Sequence, residues 1–245
     1  IYYMDRPPVA SSLMPALQKV RPTVIASVPL IMEKVYRSKV RPNFQKNALL
    51  RALYGWAPTR KLLHKAAGKK LMTLFGGRMR LFAIGGAKFD SEAERFLKEA
   101  GFPYGIGYGL TETAPLLAGA VGNMVRVGST GPALDGVELR LDNINPATGQ
   151  GEIVAKTPCC MSGYYKNEEA TKDAFTADGW FRTGDLGYIA KDGWVFIKGR
   201  LKNMIVGPSG ENIYPEDIEE VLNSNPVVAE SVVTEENGKL VALVH

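Results

Sequence analysis

Cysteine is almost absent from these 245 residues, and the two that occur, Cys159 and Cys160, are neighbours. Adjacent thiols cannot staple distant segments, so a disulfide scaffold is excluded, and two neighbouring thiols alone do not make a zinc site. No apolar run approaches the ~18 residues that a membrane-spanning helix needs. The first residues, Ile1-Tyr2-Tyr3-Met4-Asp5-Arg6, lack an initiating Met and the charged-then-apolar plan of a signal peptide, so the numbering is expected to begin inside a longer protein. Acids are scarce in one stretch: between Glu33 and Arg80 there are 13 basic residues and a single acid. Residues 1–100 carry 19 Lys/Arg against 6 Asp/Glu, whereas the remainder carries 11 against 19. Basic surface suits phosphates, nucleic acid or anionic lipid. The same charges fall between apolar positions at helical spacing, as on solvated helix faces, and both readings stand. No nucleic-acid motif accompanies them, and no nucleic-acid partner is expected. The rest is ordinary: 45% hydrophobic and 22% charged residues exclude wholesale disorder, and the length allows a sizeable core.

The pattern along the chain predicts an α/β fold. Thr23–Val28 and Leu81-Phe82-Ala83-Ile84 read as short buried strands, the second ending in Gly85-Gly86-Ala87. Helical spacing runs from Phe44 to Leu74. Ser91-Glu92-Ala93-Glu94 has the spacing of a capping box, which predicts a helix from Ser91 to Gly101. Strand, glycine turn, helix, strand is the grammar of a mostly parallel sheet, whose ligands sit at the carboxyl ends of the strands. From about Gly128 the period becomes two, as in Val137, Leu139 and Leu141. Asp-Gly turn signals recur at 135–136, 178–179 and 192–193. This predicts a small antiparallel β-barrel or sandwich. A mixed α+β segment follows, with a helix from Pro215 and a hairpin turned at Asn237-Gly238-Lys239. The division expected is 1–125, 126–200 and 201–245.

Three constellations could carry chemistry. Gly105-Ile106-Gly107-Tyr108-Gly109-Leu110-Thr111-Glu112-Thr113 is a glycine-rich turn where backbone N–H groups can approach an anion. It is no dinucleotide fingerprint, because Leu110 stands where the third glycine belongs, and no Gly-Lys-Ser/Thr phosphate loop is present. Tyr108 offers a flat ring, Thr111 a hydroxyl for a phosphate oxygen, and Glu112 a hard ligand for Mg²⁺. In Phe181-Arg182-Thr183-Gly184-Asp185 an acid sits in a glycine-bracketed turn, as acids that grip ribose hydroxyls do. The third is Gly199-Arg200-Leu201-Lys202, followed by Gly210-Glu211-Asn212-Ile213. Each alone is as well explained by turns and surface charge.

In this order and spacing, the three resemble the adenylate-forming superfamily of acyl-CoA synthetases, peptide-synthetase adenylation domains and firefly luciferase. Arg21-Pro22-Thr23, Val28-Pro29, Gly85-Gly86-Ala87, Gly151-Glu152-Ile153 and Gly163-Tyr164-Tyr165 extend the resemblance over nearly the whole chain. Gly-Tyr-Gly-Leu-Thr-Glu-Thr and Gly-Arg-Leu-Lys-Asn look most like long-chain fatty-acid–CoA ligases. Leu110 stands where peptide-synthetase domains usually have proline.

The resemblance implies ATP, Mg²⁺ and CoA as cofactors and a fatty acid as substrate. The acid would be activated as an acyl-adenylate and passed to CoA. It implies that Gly85, Gly86 and Ala87 flank adenine and the acyl pocket, that Tyr108, beside Gly109, stacks on adenine, and that Thr111 bonds the α-phosphate. Glu112 would hold Mg²⁺, Asp185 would grip the ribose with Arg200, Lys202 would mark the hinge of a C-terminal lid, and Gly210 would line the pantetheine tunnel. Two family parts have no counterpart here: a Ser/Thr/Gly-rich phosphate loop and a lid lysine. The chain is therefore expected to be the middle and later part of a synthetase, inactive by itself. The parent is expected in the cytoplasm, with possible peripheral contact to anionic membrane. Another carboxylate, a carrier-protein thiol or a non-catalytic AMP-binding module are the alternatives.

Overall fold

The computed structural model describes residues 10–207, 212–223, 225, 227–228, 230–236 and 238–245. They fall into two compact units, one reaching Gly107 and including Ala120–Gly128, the other comprising Tyr108–Gly119 and the chain from Ser129.

The first unit is helix and parallel strand in alternation: α1 (Ala10–Val20), β1 (Val24–Ser27), α2 (Pro29–Val35), a π-helical turn (Tyr36–Val40), α3 (Arg41–Gln45), α4 (Ala48–Gly55), α5 (Ala57–Leu74), β2 (Leu81–Gly85) and α6 (Ser91–Ala100). Strand β3 (Tyr104–Gly109) follows, and β4 (Leu116–Val121) completes a four-stranded sheet in the order β1-β2-β3-β4. The pairs β1–β2 and β2–β3 are parallel, as the strand–helix alternation requires. The helical stretch from Phe44 to Leu74 is broken in two places. Asn47 caps α4 by accepting a hydrogen bond from the Leu50 N–H at 2.8 Å, and extended Trp56 with Pro58 restarts the helix.

Helix α6 is where predicted, with Gly101 left-handed at φ +67°, but its cap is Asp90 rather than Ser91. The Asp90 carboxylate accepts from the Ala93 N–H at 2.7 Å and pairs with Arg37 at 3.3 Å, a double engagement that a serine hydroxyl cannot offer. Glu94 does not cap. Its buried carboxylate accepts from the Gly128 N–H at 2.8 Å and from the Tyr104 hydroxyl at 3.5 Å. Phe75, Phe82 and Phe102 pack beneath the sheet edge to face or tilted, with ring centroids 5.5–6.4 Å apart.

The second unit is antiparallel: β5 (Gly131–Pro132), β6 (Glu138–Asp142), β7 (Gly151–Lys156), α7 (Glu168–Asp173), β8 (Phe181–Ile189) and β9 (Trp194–Arg200). The glycines of the three Asp-Gly turns sit at φ +77° to +82°, a region that favours glycine. The sheet order is β5-β9-β8-β7-β6, and of the two forms expected, barrel or sandwich, the sheet does not close into a barrel. One edge is the two-residue β5, whose Pro132 has no N–H to extend the ladder, and the other is β6. Short strands β10 (Ile205–Val206) and β11 (Asn212–Ile213), helix α8 (Pro215–Asn223) and the hairpin β12 (Ser231–Glu236)–β13 (Lys239–Val244) follow, with Glu236 opposite Lys239.

Candidate functional site

Asp185 owes its position to two irregularities in β8. Against β7, pairing jumps from Glu152↔Leu186 to Val154↔Arg182, so Thr183, Gly184 and Asp185 bulge opposite the single residue Ile153. Gly184 turns the bulge at φ +69°. The Thr183 hydroxyl closes it, donating to the Ile153 carbonyl at 2.6 Å and accepting from the Asp185 N–H at 3.1 Å. Bulges are common beside functional sites because they re-aim a side chain. Against β9, the register shift between Leu186 and Gly187 leaves Lys198 unpaired and sets Asp185 opposite Arg200.

The result joins two of the predicted motifs and part of the third. Tyr108, at the end of β3, donates its hydroxyl proton to Asp185 Oδ2 at 2.7 Å across 77 residues of sequence. Arg200 Nε sits 2.9 Å from Oδ1. Asp185 is only 5% exposed, and burial pushes its carboxyl above the ordinary aspartate range although Tyr108 and Arg200 both favour the anion. Burial and the Asp185 charge push the Tyr108 phenol far up, so it remains a donor at any ordinary pH. Among the described residues, each carboxylate oxygen carries one partner. An ionised carboxylate accepts about four hydrogen bonds, which leaves capacity for the two hydroxyls of a ribose. Tyr108 is 8% exposed and belongs to a buried cluster with Leu117, Ala118, Ile153, Ala155 and Val195. Tyr108, expected to stack on adenine, thus has its hydroxyl on Asp185 and its ring against this cluster.

Thr111 and Glu112 occupy a 3₁₀ turn (Thr111–Thr113). Thr111 is exposed, and Glu112 accepts from the Tyr164 hydroxyl at 3.0 Å while its carbonyl accepts from the Met161 N–H at 2.7 Å. Gly109 sets this turn in place. A Cβ there would lie 1.7 Å from the Pro115 carbonyl oxygen, so only glycine allows the approach. In the first unit, Gly85 ends β2 opposite Gly107, and Gly86 follows at φ +88°. Lys202 is exposed in the 3₁₀ turn Leu201–Asn203. Gly210 lies outside the described residues.

Sequence reasoning assigned no role to several groups around the site. Thr183 closes the bulge. Arg182 bridges buried Glu152 and Asp142, with Glu152 also accepting from the Gly184 N–H at 3.3 Å. Glu216, at the start of α8, accepts from the Asn203 side chain at 3.1 Å, and its charge disfavours the Asp185 anion. These residues lie within or beside the motifs, but only tertiary pairing shows their partners.

Known proteins to which this chain is similar are named as acid–CoA ligases. It is 32% identical over 241 residues to the long-chain-fatty-acid–CoA ligase FadD15 of Mycobacterium bovis, covering 91% of this chain and 39% of that protein. It is 37% identical over 158 residues to a 2-succinylbenzoate–CoA ligase of Bacillus cytotoxicus, covering 62% of this chain and 32% of that one. Among solved structures, o-succinylbenzoate coenzyme A synthetase of Bacillus subtilis, in complex with ATP and magnesium ion, superposes with a TM-score of 0.71 at 25% identity, over 96% of this chain and 44% of that one. The chain thus spans about two fifths of the length of the longer relatives it matches. Residues 1–165, two thirds of the chain, match the model of the AMP-binding enzyme family, and this protein belongs to that family.

Proposed function

We propose that the chain is the nucleotide-gripping part of a ligase that activates a fatty carboxylate with ATP and transfers it to CoA. A carboxylate oxygen attacks the α-phosphorus, the bond to the β-phosphate breaks and pyrophosphate leaves. The CoA sulfur then attacks the acyl carbon, the bond to the phosphate oxygen breaks and AMP leaves. The observation that carries the reading is the Tyr108–Asp185–Arg200 cluster. Asp185 would accept the ribose hydroxyls while Arg200 and Tyr108 fix its orientation, so the nucleotide meets a pre-set acceptor. Thr111 would donate to the α-phosphate, and the loop at Gly85, Gly86 and Ala87 would flank adenine. Glu112 would hold Mg²⁺. One carboxylate suits a cation usually held by one or two carboxylates plus substrate phosphates. When bound, the ion neutralises charge on those phosphates. Residues 201–245 would open a C-terminal lid hinged near Lys202, with Gly210 toward the thiol.

Fatty acid is favoured over 2-succinylbenzoate because the long-chain relatives align with 91% and 86% of the chain, against 62% for the succinylbenzoate ligases. The test is pyrophosphate release by the longer parent protein over fatty acids of graded length and 2-succinylbenzoate. Turnover on long-chain acids is expected to exceed that on 2-succinylbenzoate at least tenfold, and the reverse order defeats the substrate assignment. In the same parent, Lys202→Pro is expected to slow thioester formation more than adenylation, because a fixed φ restricts lid rotation. Equal loss in both half-reactions removes the hinge from Lys202.

Peripheral membrane contact is the second proposal, and α4–α5 supports it. Leu49, Trp56 and Leu62 are 69%, 64% and 69% exposed beside the exposed cations Arg51, Lys61, Lys65 and Lys69. Apolar side chains with tryptophan and a cationic surround are the pattern of interfacial helices. No helix among the described residues is long and apolar enough to cross a membrane. Sedimentation with vesicles rich in anionic lipid should fall steeply as salt rises, and Trp56→Ser should halve it or more. Salt-independent binding, or none at low salt, leaves these residues as ordinary solvated faces.

A further inference from the structure

The helices of the first unit leave a space that the adenylation chemistry does not use. The π-helical turn Tyr36–Val40 runs into α3, and these two together with α4 and α5 enclose a cleft of about 410 Å³. That size lies within the roughly 300–1,000 Å³ of small-molecule pockets. Its walls are apolar: Phe44 from α3, Leu50 from α4, and Leu63, Leu71 and Leu74 from α5. No strand residue and no residue of the nucleotide motifs lines it.

Polar lining is confined to Lys39, Asn43 and Lys70, so two of the three polar residues are cations and none is an acid. Both lysines are exposed, and neither forms an ion pair with the described residues. The wide turn of the π-helix brings Lys39 and Val40 to the cleft side by side, and π turns inside helices frequently mark functional sites. Charge around the cleft agrees, since the segment from Glu33 to Arg80 that forms it holds 13 basic residues and one acid. An approaching anion meets attraction over this whole segment.

An apolar groove alone would suit an uncharged chain, and a basic face alone would suit a phosphate. We infer that the two together form a binding site for a single-chain anionic amphiphile, a long-chain carboxylate monomer. Its alkyl chain would lie against Phe44, Leu63 and Leu71, and its carboxylate would meet Lys39 and Lys70 in water at the mouth. The site is separate from the ribose grip and does not depend on the adenylation reading.

The experiment is calorimetric titration of the 245-residue chain with dodecanoate monomer, below its aggregation concentration and without vesicles or nucleotide. Saturable one-to-one binding is expected. Lys39→Glu combined with Lys70→Glu, both at exposed positions, should weaken it at least tenfold. Leu63→Glu, which places a like charge on the wall, should abolish it. Dodecyltrimethylammonium, with the same chain and the opposite head, should bind at least tenfold more weakly than dodecanoate. Asp185→Ala should leave dodecanoate binding unchanged, so a failed ribose assignment and a failed cleft give different results. The inference is overturned by an absence of saturable binding, by binding indifferent to the charge reversal and to Leu63→Glu, or by equal binding of the cationic amphiphile.

Discussion

Asp185→Ala in the full-length parent is expected to weaken ATP and AMP binding by about two to four orders of magnitude. Hydrogen bonds to a charged group are worth about 1.5–3 kcal/mol each, and two ribose hydroxyls would lose theirs. The lesion also strands the partners. Arg200 Nε at 2.9 Å and the Tyr108 hydroxyl at 2.7 Å both face the carboxylate that the substitution removes. Asp185→Asn keeps the shape but offers one acceptor oxygen in place of two, so a smaller loss is expected. Isothermal titration with AMP measures both, and circular dichroism shows whether each variant is folded. Unchanged AMP affinity in a folded Asp185→Ala protein removes Asp185 from the nucleotide site. The same comparison with adenosine bears on Arg200: phosphate-independent loss points to ribose, whereas loss confined to AMP points to the guanidinium acting on phosphate.

The second large effect concerns stability. Glu94 is 2% exposed, and burial pushes its carboxyl up to about 7 from an ordinary value of 4.5. Because the folded value is the higher one, the folded chain keeps a proton that the unfolded chain has released. Below about pH 4.5 both states are protonated, and burial of Glu94 carries no charge cost. Between 4.5 and 7 stability falls as pH rises, and above 7 the loss is constant at roughly 3 kcal/mol. Glu94→Gln keeps an acceptor for the Gly128 N–H and removes the charge. At pH 8 the variant is therefore expected to be the more stable protein by as much as ~3 kcal/mol, with the difference shrinking or reversing at pH 5. Urea unfolding at both pH values measures this, and identical pH dependence in the two proteins would show that Glu94 is not buried as a neutral acid.

Much of this architecture was legible from local chemistry. Strand β2 ends at a glycine pair, the Asp-Gly turns place their glycines at positive φ, and α6 stops at left-handed Gly101. What escaped was set by competition or by distance. Asp90 and Ser91 are both good caps, and only the position of Arg37 decides between them. The period from Phe44 to Leu74 is continuous in sequence, yet Asn47 and Trp56 divide it. The open second sheet could not be read, because closure depends on which edges find each other rather than on alternation within a strand. At the site, the motifs named Tyr108, Asp185 and Arg200, but a contact spanning 77 residues has no trace in any short window. The role of Thr183 was hidden for a similar reason, since its partner carbonyl belongs to Ile153 on another strand.

The unpaired Lys198 has a consequence for how this site is inherited. Counting back from Gly187↔Ile197 in unbroken register would set Lys198 opposite Leu186 and Gly199, not Arg200, across from Asp185. Side chains alternate between faces of a sheet, so the guanidinium would then project from the opposite side. The ion pair is thus written in the register of the ladder as much as in residue identity. A lineage whose ladder closed over Lys198 in regular register would retain every letter of the recognisable motifs while their charges no longer met.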